Sequence, residues 1–234
     1  MAKLLADRGI DVILASRDAK KMQKVAKRLP VNVRTIAVDL SKAEDCYALY
    51  AAVREEEIDI LINNAGFGAY GATWDVPLET ELNMLDLNVR AVHILTKLFL
   101  AEFRKRDRGY ILNVASAAGF LAGPLMSAYY ATKGYVLRLS EAIYEELRRE
   151  GSHVRITALC PGHVETNFDA RAHVPRSIGG LSAKRVAKAG IAGMFRGKAV
   201  VLPGALMKLA YIGEKCLPET WMLKAAYRAQ AKKG

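Results

Sequence analysis

The sequence predicts an α/β protein with a doubly wound parallel sheet and helices on both of its faces. Short runs rich in β-branched residues alternate with longer stretches of helical period, which is typical of repeated βα units. The runs are almost continuously apolar, as expected for strands covered on both faces. A chain of 234 residues suits one large domain of this kind.

These patterns predict six strands and five main helices. The strands are expected at residues 10–15, 33–38, 58–62, 110–115, 154–159 and 198–202. The helices are expected at residues 18–29, 42–56, 79–104, 126–150 and 182–195. We expect Ser41 and Ser182 to be N-caps, and Pro77 precedes the third of these helices.

The net charge of +11 is concentrated near the C-terminus. Residues 171–234 hold thirteen Lys and Arg residues against two Asp and Glu residues. This segment is either a solvated basic face or a surface for an anionic partner. Lys224, Arg228 and Lys232 form a basic stripe at spacing four, which suits a helix at an anionic membrane surface as well as a helix packed on the domain.

The cysteines, the histidines and the N-terminus indicate where the protein is located and which ligands it binds. Cys46, Cys160 and Cys216 have neither paired nor metal-binding spacing, and the four histidines have no ligand spacing, so we expect no metal site. The N-terminus lacks the pattern of a signal peptide, and we expect a cytoplasmic protein. Nucleic-acid binding is not expected, because aromatic residues do not alternate with the basic ones.

A Tyr and a Lys four residues apart begin one expected helix. Tyr129 and Lys133 fall on one helix face, where the ammonium can favour the phenolate for acid–base chemistry, although this spacing also arises by chance. Ser116 ends the preceding strand, at the edge where ligands collect in open α/β sheets. Asn88 lies in the expected helix 79–104, and a helix kink or a backbone hydrogen bond would explain it without any catalytic role.

Five motifs occur in an order and spacing that resemble the short-chain dehydrogenase/reductase family. They are NNAG at 63–66, LNV at 87–89, NVAS at 113–116, Y-x-x-x-K at 129–133, and PG at 161–162 followed by Thr166. The resemblance implies a Rossmann-type fold and an oxidoreductase that interconverts a carbonyl and a secondary alcohol. It also implies a homo-oligomer formed through the two longest helices.

The resemblance implies a catalytic tetrad of Asn88, Ser116, Tyr129 and Lys133. Hydride would pass from NADPH to the carbonyl carbon while Tyr129 gives a proton to the oxygen that Ser116 holds. Lys133 would lower the pKa of Tyr129 and bind the nicotinamide ribose, and Asn88 would hold a water that links Lys133 to solvent. Tyr130 is about 100° around the helix from Tyr129 and is out of register with Lys133.

Cofactor choice depends on the residues that follow the first expected strand. Arg17 can bind a 2′-phosphate and Ser16 can add a hydroxyl, so NADP(H) is favoured over NAD(H), although Asp18 beside them weakens this interpretation. Asp39 resembles the acid that contacts adenine, with a helix-capping role as the alternative. The other cofactor contacts that the motifs imply are Asn64, Ala65, Gly66, Tyr129, Lys133, Pro161, Gly162 and Thr166.

The chain departs from the family at its start. No T-G-x-x-x-G-x-G loop precedes the first helix, which Leu4 and Leu5 predict and which ends at Gly9. We therefore expect that a strand and a phosphate loop of about 20 residues are missing, which leaves two strands with unpaired edges. We hypothesise that the true start lies upstream of Met1. The alternative is a truncated, non-catalytic interaction or membrane-surface protein.

We divide the chain into a Rossmann-type domain at residues 1–203 and a basic amphipathic helical extension of it at 204–234. The segment after Gly162 is short, and the C-terminal tail is apolar and basic. Both features suit a hydrophobic carbonyl substrate, such as a fatty acyl or steroid-like ligand.

Overall fold

The computed structural model describes residues 1–165, 172, 180–204 and 218–231, so Thr166, Cys216 and Lys232 lie outside the described residues. The α-helices are α1 (Ala2–Ala6), α2 (Ala19–Ala26), α3 (Ala43–Val53), α4 (Leu78–Leu85), α5 (Ala91–Arg106), α6 (Ser127–Arg149), α7 (Ala183–Phe195) and α8 (Glu219–Ala231). The strands are β1 (Val12–Ser16), β2 (Val33–Ala37), β3 (Ile60–Asn63), β4 (Tyr110–Val114), β5 (Arg155–Leu159), β6 (Val164–Glu165), β7 (Leu181–Ser182) and β8 (Val200–Val201). The predicted α/β class is confirmed.

The strand pairs are parallel and bring their C-terminal ends to a common edge. The main sheet has the order β3-β4-β5-β8, β1 pairs with β2, and the short β6 pairs with β7. Asn63 is aligned with Asn113, and Val114 is aligned with Leu159. Residues that follow β3, β4 and β5 are therefore neighbours in space.

The sheet is interrupted between β1 and β3. Among the described strands, β1 pairs only with β2, and on its other side β3 begins a separate sheet. Residues of β1 and β3 line one cavity of about 1460 Å³, which Met1 and, from α1, Ala2 and Leu5 also border. The two strands whose edges were expected to be unpaired thus face a common cavity.

The expected helix at 79–104 is divided into α4, a π-helical turn at Asp86–Arg90, and α5. A π turn inserts an extra residue into a helix and is frequent at functional sites. Asn88 lies in the middle of this turn and is fully buried. The long apolar period of the sequence had predicted a continuous helix here.

The predicted helix caps are right in part. Ser182 caps α7 by accepting a hydrogen bond from the N–H of Arg185 at 3.4 Å. The prediction for Ser41 is wrong, because α3 begins after Lys42 and the Ser41 hydroxyl instead donates to Asp39 at 2.7 Å. The first regular helix ends at Ala6, and the chain turns at Gly9, whose φ is +75°.

A buried polar network lies beneath the ends of β3 and β4. Asn63 donates from Nδ2 to Asn113 Oδ1 at 2.8 Å and to Thr96 Oγ1 at 3.1 Å, and Asn113 donates to Ser140 Oγ at 3.0 Å. The network connects two strands to α5 and α6 in the interior, where each satisfied polar atom avoids a desolvation cost. Asn63 of NNAG and Asn113 of NVAS thus have a structural role.

The described part of the chain has two cysteines, and its helices were compared with the length of a membrane span. Cys46 and Cys160 are buried free thiols. No helix within the described ranges has the length and the apolar character needed to span a bilayer.

The interruption of the sheet predicts uneven hydrogen exchange. Strand β4 has partners on both sides, whereas β1 has one, so the amides of β1 should exchange at least about tenfold faster. Mass spectrometry on peptides that contain Val12–Ser16 and Tyr110–Val114 measures both rates. Equal protection of the two strands would contradict the interrupted sheet.

Candidate active site

The π turn and the first turns of α6 bring Asn88, Tyr129 and Lys133 together at the end of β4. Ser116 lies two residues after Val114, the last residue of β4. The Lys133 ammonium lies 5.8 Å from the centre of the Tyr129 ring, as the spacing of four predicts. Tyr129 and Lys133 are only 9% and 6% exposed. A phenol and an ammonium therefore share one buried site.

The ammonium of Lys133 is anchored at the end of β4. Its Nζ donates to the main-chain oxygen of Val114 at 2.9 Å. Burial lowers the pKa of Lys133 to about 8, because desolvation disfavours the charged form. The buried thiol of Cys160 lies close enough to affect this charge, and burial raises its own pKa to about 12. At neutral pH the site thus holds one ammonium and a protonated thiol.

Asn88 connects the π turn to the loop after β3. Its Oδ1 accepts from the N–H of Phe67 at 3.1 Å, and its Nδ2 donates to Phe67 O at 2.8 Å and to Thr132 Oγ1 at 3.1 Å. Both side-chain amide hydrogens are used within the protein, so the water relay implied for Asn88 stays a prediction. Thr132 was not expected at the site, although it directly precedes Lys133.

Two glycines allow the backbone to approach this cluster. A Cβ on Gly66 would lie 2.9 Å from Asn88 Oδ1 and 3.4 Å from Lys133 Nζ. A Cβ on Gly119 would lie 2.6 Å from the main-chain oxygen of Lys133. A side chain at Gly66 would displace Asn88 and the Lys133 ammonium, and one at Gly119 would displace the Lys133 main chain. Close packing therefore requires a glycine as the last residue of NNAG.

Ser116 precedes a 3₁₀ turn at Ala117–Phe120 and caps it. Its Oγ accepts from the N–H of Ala118 at 3.1 Å and donates to Pro161 O at 3.4 Å. The second bond is long, so the hydroxyl hydrogen is only weakly held and can turn toward another acceptor. Pro161 thus lies beside Ser116 with Gly162 next to it in the chain, and their cofactor contacts stay a prediction, whereas Thr166 lies outside the described residues.

The predicted adenosine-end residues lie at the cavity between β1 and β3. Ser16, Arg17 and Asp39 line it, and the Arg17 guanidinium is 3.9 Å from Asp39 in an exposed and therefore weak ion pair. Hydrogen bonding by Ser41 lowers the pKa of Asp39. Asp18 caps α2 by accepting from the N–H of Lys21 at 2.9 Å, which gives this acid a structural role.

The described residues fit the two ends of a nicotinamide dinucleotide. Asn64, Ala65 and Gly66 line the same cavity as Ser16, Arg17 and Asp39. Gly66 leaves the side of the cavity next to Lys133 free of a Cβ, and Arg17 offers a cation at the other end. Other residues that line the cavity belong to α1, β1 and β3.

The sequence is similar to those of known proteins. The family model of the short chain dehydrogenases matches residues 1–175. The chain is 31% identical over 172 residues to an uncharacterised oxidoreductase of Staphylococcus saprophyticus, covering 71% of this chain and 73% of that protein. It is 36% identical over 176 residues to the human very-long-chain 3-oxoacyl-CoA reductase, covering 71% of this chain and 55% of the reductase.

A solved structure supports the same conclusion. The fold aligns with a short-chain dehydrogenase from Sphingobium yanoikuyae in complex with NADPH, with a TM-score of 0.80 and 30% identity. The alignment covers 87% of this chain and 82% of that one. The protein belongs to the short-chain dehydrogenase family, and the predicted oxidoreductase class and Rossmann-type fold are confirmed.

The buried ammonium predicts that Lys133→Met stabilises the protein at pH 7. Depression of the Lys133 pKa from 10.5 to about 8 means that holding the buried charge costs ~3 kcal/mol of stability. The variant avoids this cost but loses the hydrogen bond to Val114, which reduces the gain by ~1 kcal/mol. We expect a net gain of ~2 kcal/mol in the free energy of unfolding. Wild type binds fewer protons folded than unfolded between pH 8 and 10.5, so its stability rises there and the gain shrinks.

Urea denaturation of both proteins at pH 7 and pH 10 measures this difference. The exposed Lys24→Met substitution on α2 is the control, and it should leave stability within about 0.5 kcal/mol at both pH values. A Lys133→Met variant that is less stable than wild type at pH 7 would show that the buried ammonium does not destabilise the folded protein.

Proposed function

We propose that the protein is an NADP(H)-dependent oxidoreductase that interconverts a carbonyl and a secondary alcohol on an apolar substrate. The observation that carries the proposal is the buried ammonium of Lys133 at 5.8 Å from the Tyr129 ring. A solvent-exposed Lys would need no role beyond the stability of its helix. A buried Lys lowers the stability of the fold, and such a residue in a cleft indicates a functional site. The short-chain dehydrogenase family gives the class of reaction.

In the proposed reaction, Tyr129 donates its phenolic proton to the carbonyl oxygen of the substrate. Ser116 turns its weakly held hydroxyl hydrogen from Pro161 to the same oxygen and stabilises the charge that develops there. The positive charge of Lys133 favours the resulting phenolate. Asn88 positions the loop at Phe67 and the turn at Thr132 around the ammonium. NADPH, when bound, supplies the hydride to the carbonyl carbon.

The surroundings of Tyr129 favour an apolar substrate. Tyr129 packs in a cluster of apolar and aromatic side chains, which are Phe67, Ala69, Tyr70, Met84, Ala118, Met126, Ala128 and Tyr130. One relative is named for reduction of very-long-chain 3-oxoacyl-CoA. We therefore favour a fatty acyl carbonyl compound over a steroid-like one.

The preference for NADP rests on Ser16 and Arg17. Arg17 is 65% exposed at the cavity, and Asp18 is directed to the N-terminus of α2 instead of to the ligand side. A guanidinium in this position matches a 2′-phosphate. Cytoplasmic location and a homo-oligomer through α4 to α6 complete the proposal.

A non-catalytic function is the second candidate, and the interrupted sheet favours it. The cavity between β1 and β3 separates the adenosine-end residues from the main sheet. In this case the exposed Lys224 and Arg228 of α8 would contact an anionic partner, such as a membrane surface.

Replacement of the phenol predicts a selective loss of turnover. We expect Tyr129→Phe to reduce kcat for a 3-oxoacyl thioester by about 10²–10⁴-fold, because the general acid is removed. NADPH affinity should stay within about threefold of wild type, since no charge is lost. Steady-state kinetics and a fluorescence titration with NADPH measure the two quantities.

The same substitution at Tyr135, a partly exposed phenol on α6, is the matched control. Tyr135→Phe should keep kcat within about twofold. A Tyr129→Phe variant that keeps wild-type turnover would refute the proposed acid–base role.

Loss of the guanidinium predicts a change of cofactor preference. Arg17→Ala should weaken NADPH binding by about 10–100-fold, the value of a charge-assisted bond to the 2′-phosphate, and change NADH binding little. Lys24→Ala on α2 controls for the general loss of a positive charge. If NADPH and NADH affinities fall together, Arg17 does not select the phosphate.

A further inference from the structure

Helix α8 packs on the domain through one stripe of residues. Met222, Leu223 and Ala226 are half-buried, and Gln230 is only 4% exposed. Trp221 and Tyr227 are 67% and 53% exposed on the rest of its surface. The most buried residue of the stripe is thus polar, where a helix that merely covers an apolar surface would carry Leu or Met.

Two hydrogen bonds place Gln230 beside the candidate active site. Its Nε2 donates to the hydroxyl of Tyr130 at 2.6 Å, and its main-chain oxygen accepts from the hydroxyl of Tyr70 at 3.1 Å. The Tyr130 ring meets the Tyr129 ring edge-on, with 6.1 Å between the ring centres. Gln230 is therefore separated from the proposed general acid by a single side chain.

The loop before α6 is shaped to hold Tyr130 in this position. A Cβ on Gly123 would lie 2.2 Å from the Tyr130 ring, so the ring lies directly against this glycine. Leu125 has a φ of +65°, a costly value for this residue type, and its main-chain oxygen accepts from Gly71 N–H at 2.9 Å. The loop after β3, the loop before α6 and α8 thus meet around Tyr130.

The amide of Gln230 has more hydrogen-bonding capacity than the protein uses. Its Oε1 is buried and has no hydrogen-bond partner among the described residues. A single hydroxyl cannot satisfy both ends of a side-chain amide, and an unsatisfied buried acceptor is unfavourable. Tyr130, which the Gln230 amide contacts, belongs to the apolar cluster around Tyr129, and a substrate bound at that cluster can supply the missing donor.

We propose that Gln230 is a specificity-determining residue that accepts a hydrogen bond from the substrate. This rests on the proposed function: with the carbonyl at Tyr129, an apolar substrate would extend past Tyr130 to α8. The substrate then carries a second polar group, a hydroxyl or an amide N–H, apart from the reacting carbonyl. Tyr130 positions the amide and does not take part in proton transfer.

The test compares three 3-oxo esters of equal chain length with the full chain and NADPH. One ester is plain, one carries a terminal hydroxyl, and one carries a secondary amide in its alcohol part. Wild type should prefer at least one donor-bearing ester over the plain one by about 3–10-fold in kcat/KM, the effect of one neutral hydrogen bond. The preferred ester tells whether the donor is a hydroxyl or an amide.

Two variants on α8 assign the preference to Gln230. Gln230→Met keeps an unbranched side chain without a hydrogen-bond acceptor. It should abolish the preference by lowering kcat/KM for the preferred donor-bearing ester about 3–10-fold more than for the plain ester. Lys224→Met introduces the same side chain on the exposed face of α8 and is the control, and it should keep the preference for the donor-bearing ester. If Gln230→Met changes all three esters by one factor, or none of them, its amide serves only to dock α8 and the proposal is overturned.

A second readout separates this proposal from the proposed function. In the Tyr129→Phe variant, the rise in unfolding temperature caused by each ester reports binding without turnover. Donor-bearing esters should stabilise Tyr129→Phe more than the plain ester, and adding Gln230→Met should remove this difference. Equal stabilisation by all three, or by none, overturns the role of Gln230. Unchanged turnover in Tyr129→Phe overturns the reaction instead.

Discussion

The buried ammonium of Lys133 is the constraint on which the rest of the site depends. An unpaired buried charge costs several kcal/mol, so the surrounding backbone must supply an acceptor and approach closely. Val114 supplies the acceptor at the end of β4, and Gly66 and Gly119 permit the approach of two loops. The π turn places Asn88 in the interior, where it holds the loop that carries Gly66.

Local patterns predicted six of the eight described strands and the proximity of Tyr129 to Lys133, because both depend on short-range periodicity. Strands β6 and β7 were missed, since two residues each are too short to show a period. The π turn was missed since one extra residue hardly alters an apolar period. Ser41 was wrongly predicted as an N-cap, since its hydroxyl and its N–H both donate to Asp39 two residues before it. The role of Gln230 could not be predicted. Its bonds to Tyr130 and Tyr70 join positions 100 and 160 residues apart, and no local pattern carries such a pairing.

The interrupted sheet separates the two halves of the proposed chemistry. The acid–base residues are built on the main sheet, whereas Ser16 ends β1 in the separate two-stranded sheet and Arg17 follows it. A dinucleotide that contacts both halves must pass the cavity between β1 and β3. The diphosphate would there need backbone N–H donors, which a glycine-rich turn at a helix N-terminus provides in dinucleotide-binding folds.

Fluorescence titration with NADPH tests this most directly. It compares the 234-residue chain with a version extended at its N-terminus by an apolar strand and a T-G-x-x-x-G-x-G loop. We predict that the extended version binds NADPH at least about 100-fold more tightly, because several charge-assisted bonds to the diphosphate are added. Equal affinity of the two proteins would contradict the need for this strand and loop, and binding by neither would contradict the proposed oxidoreductase.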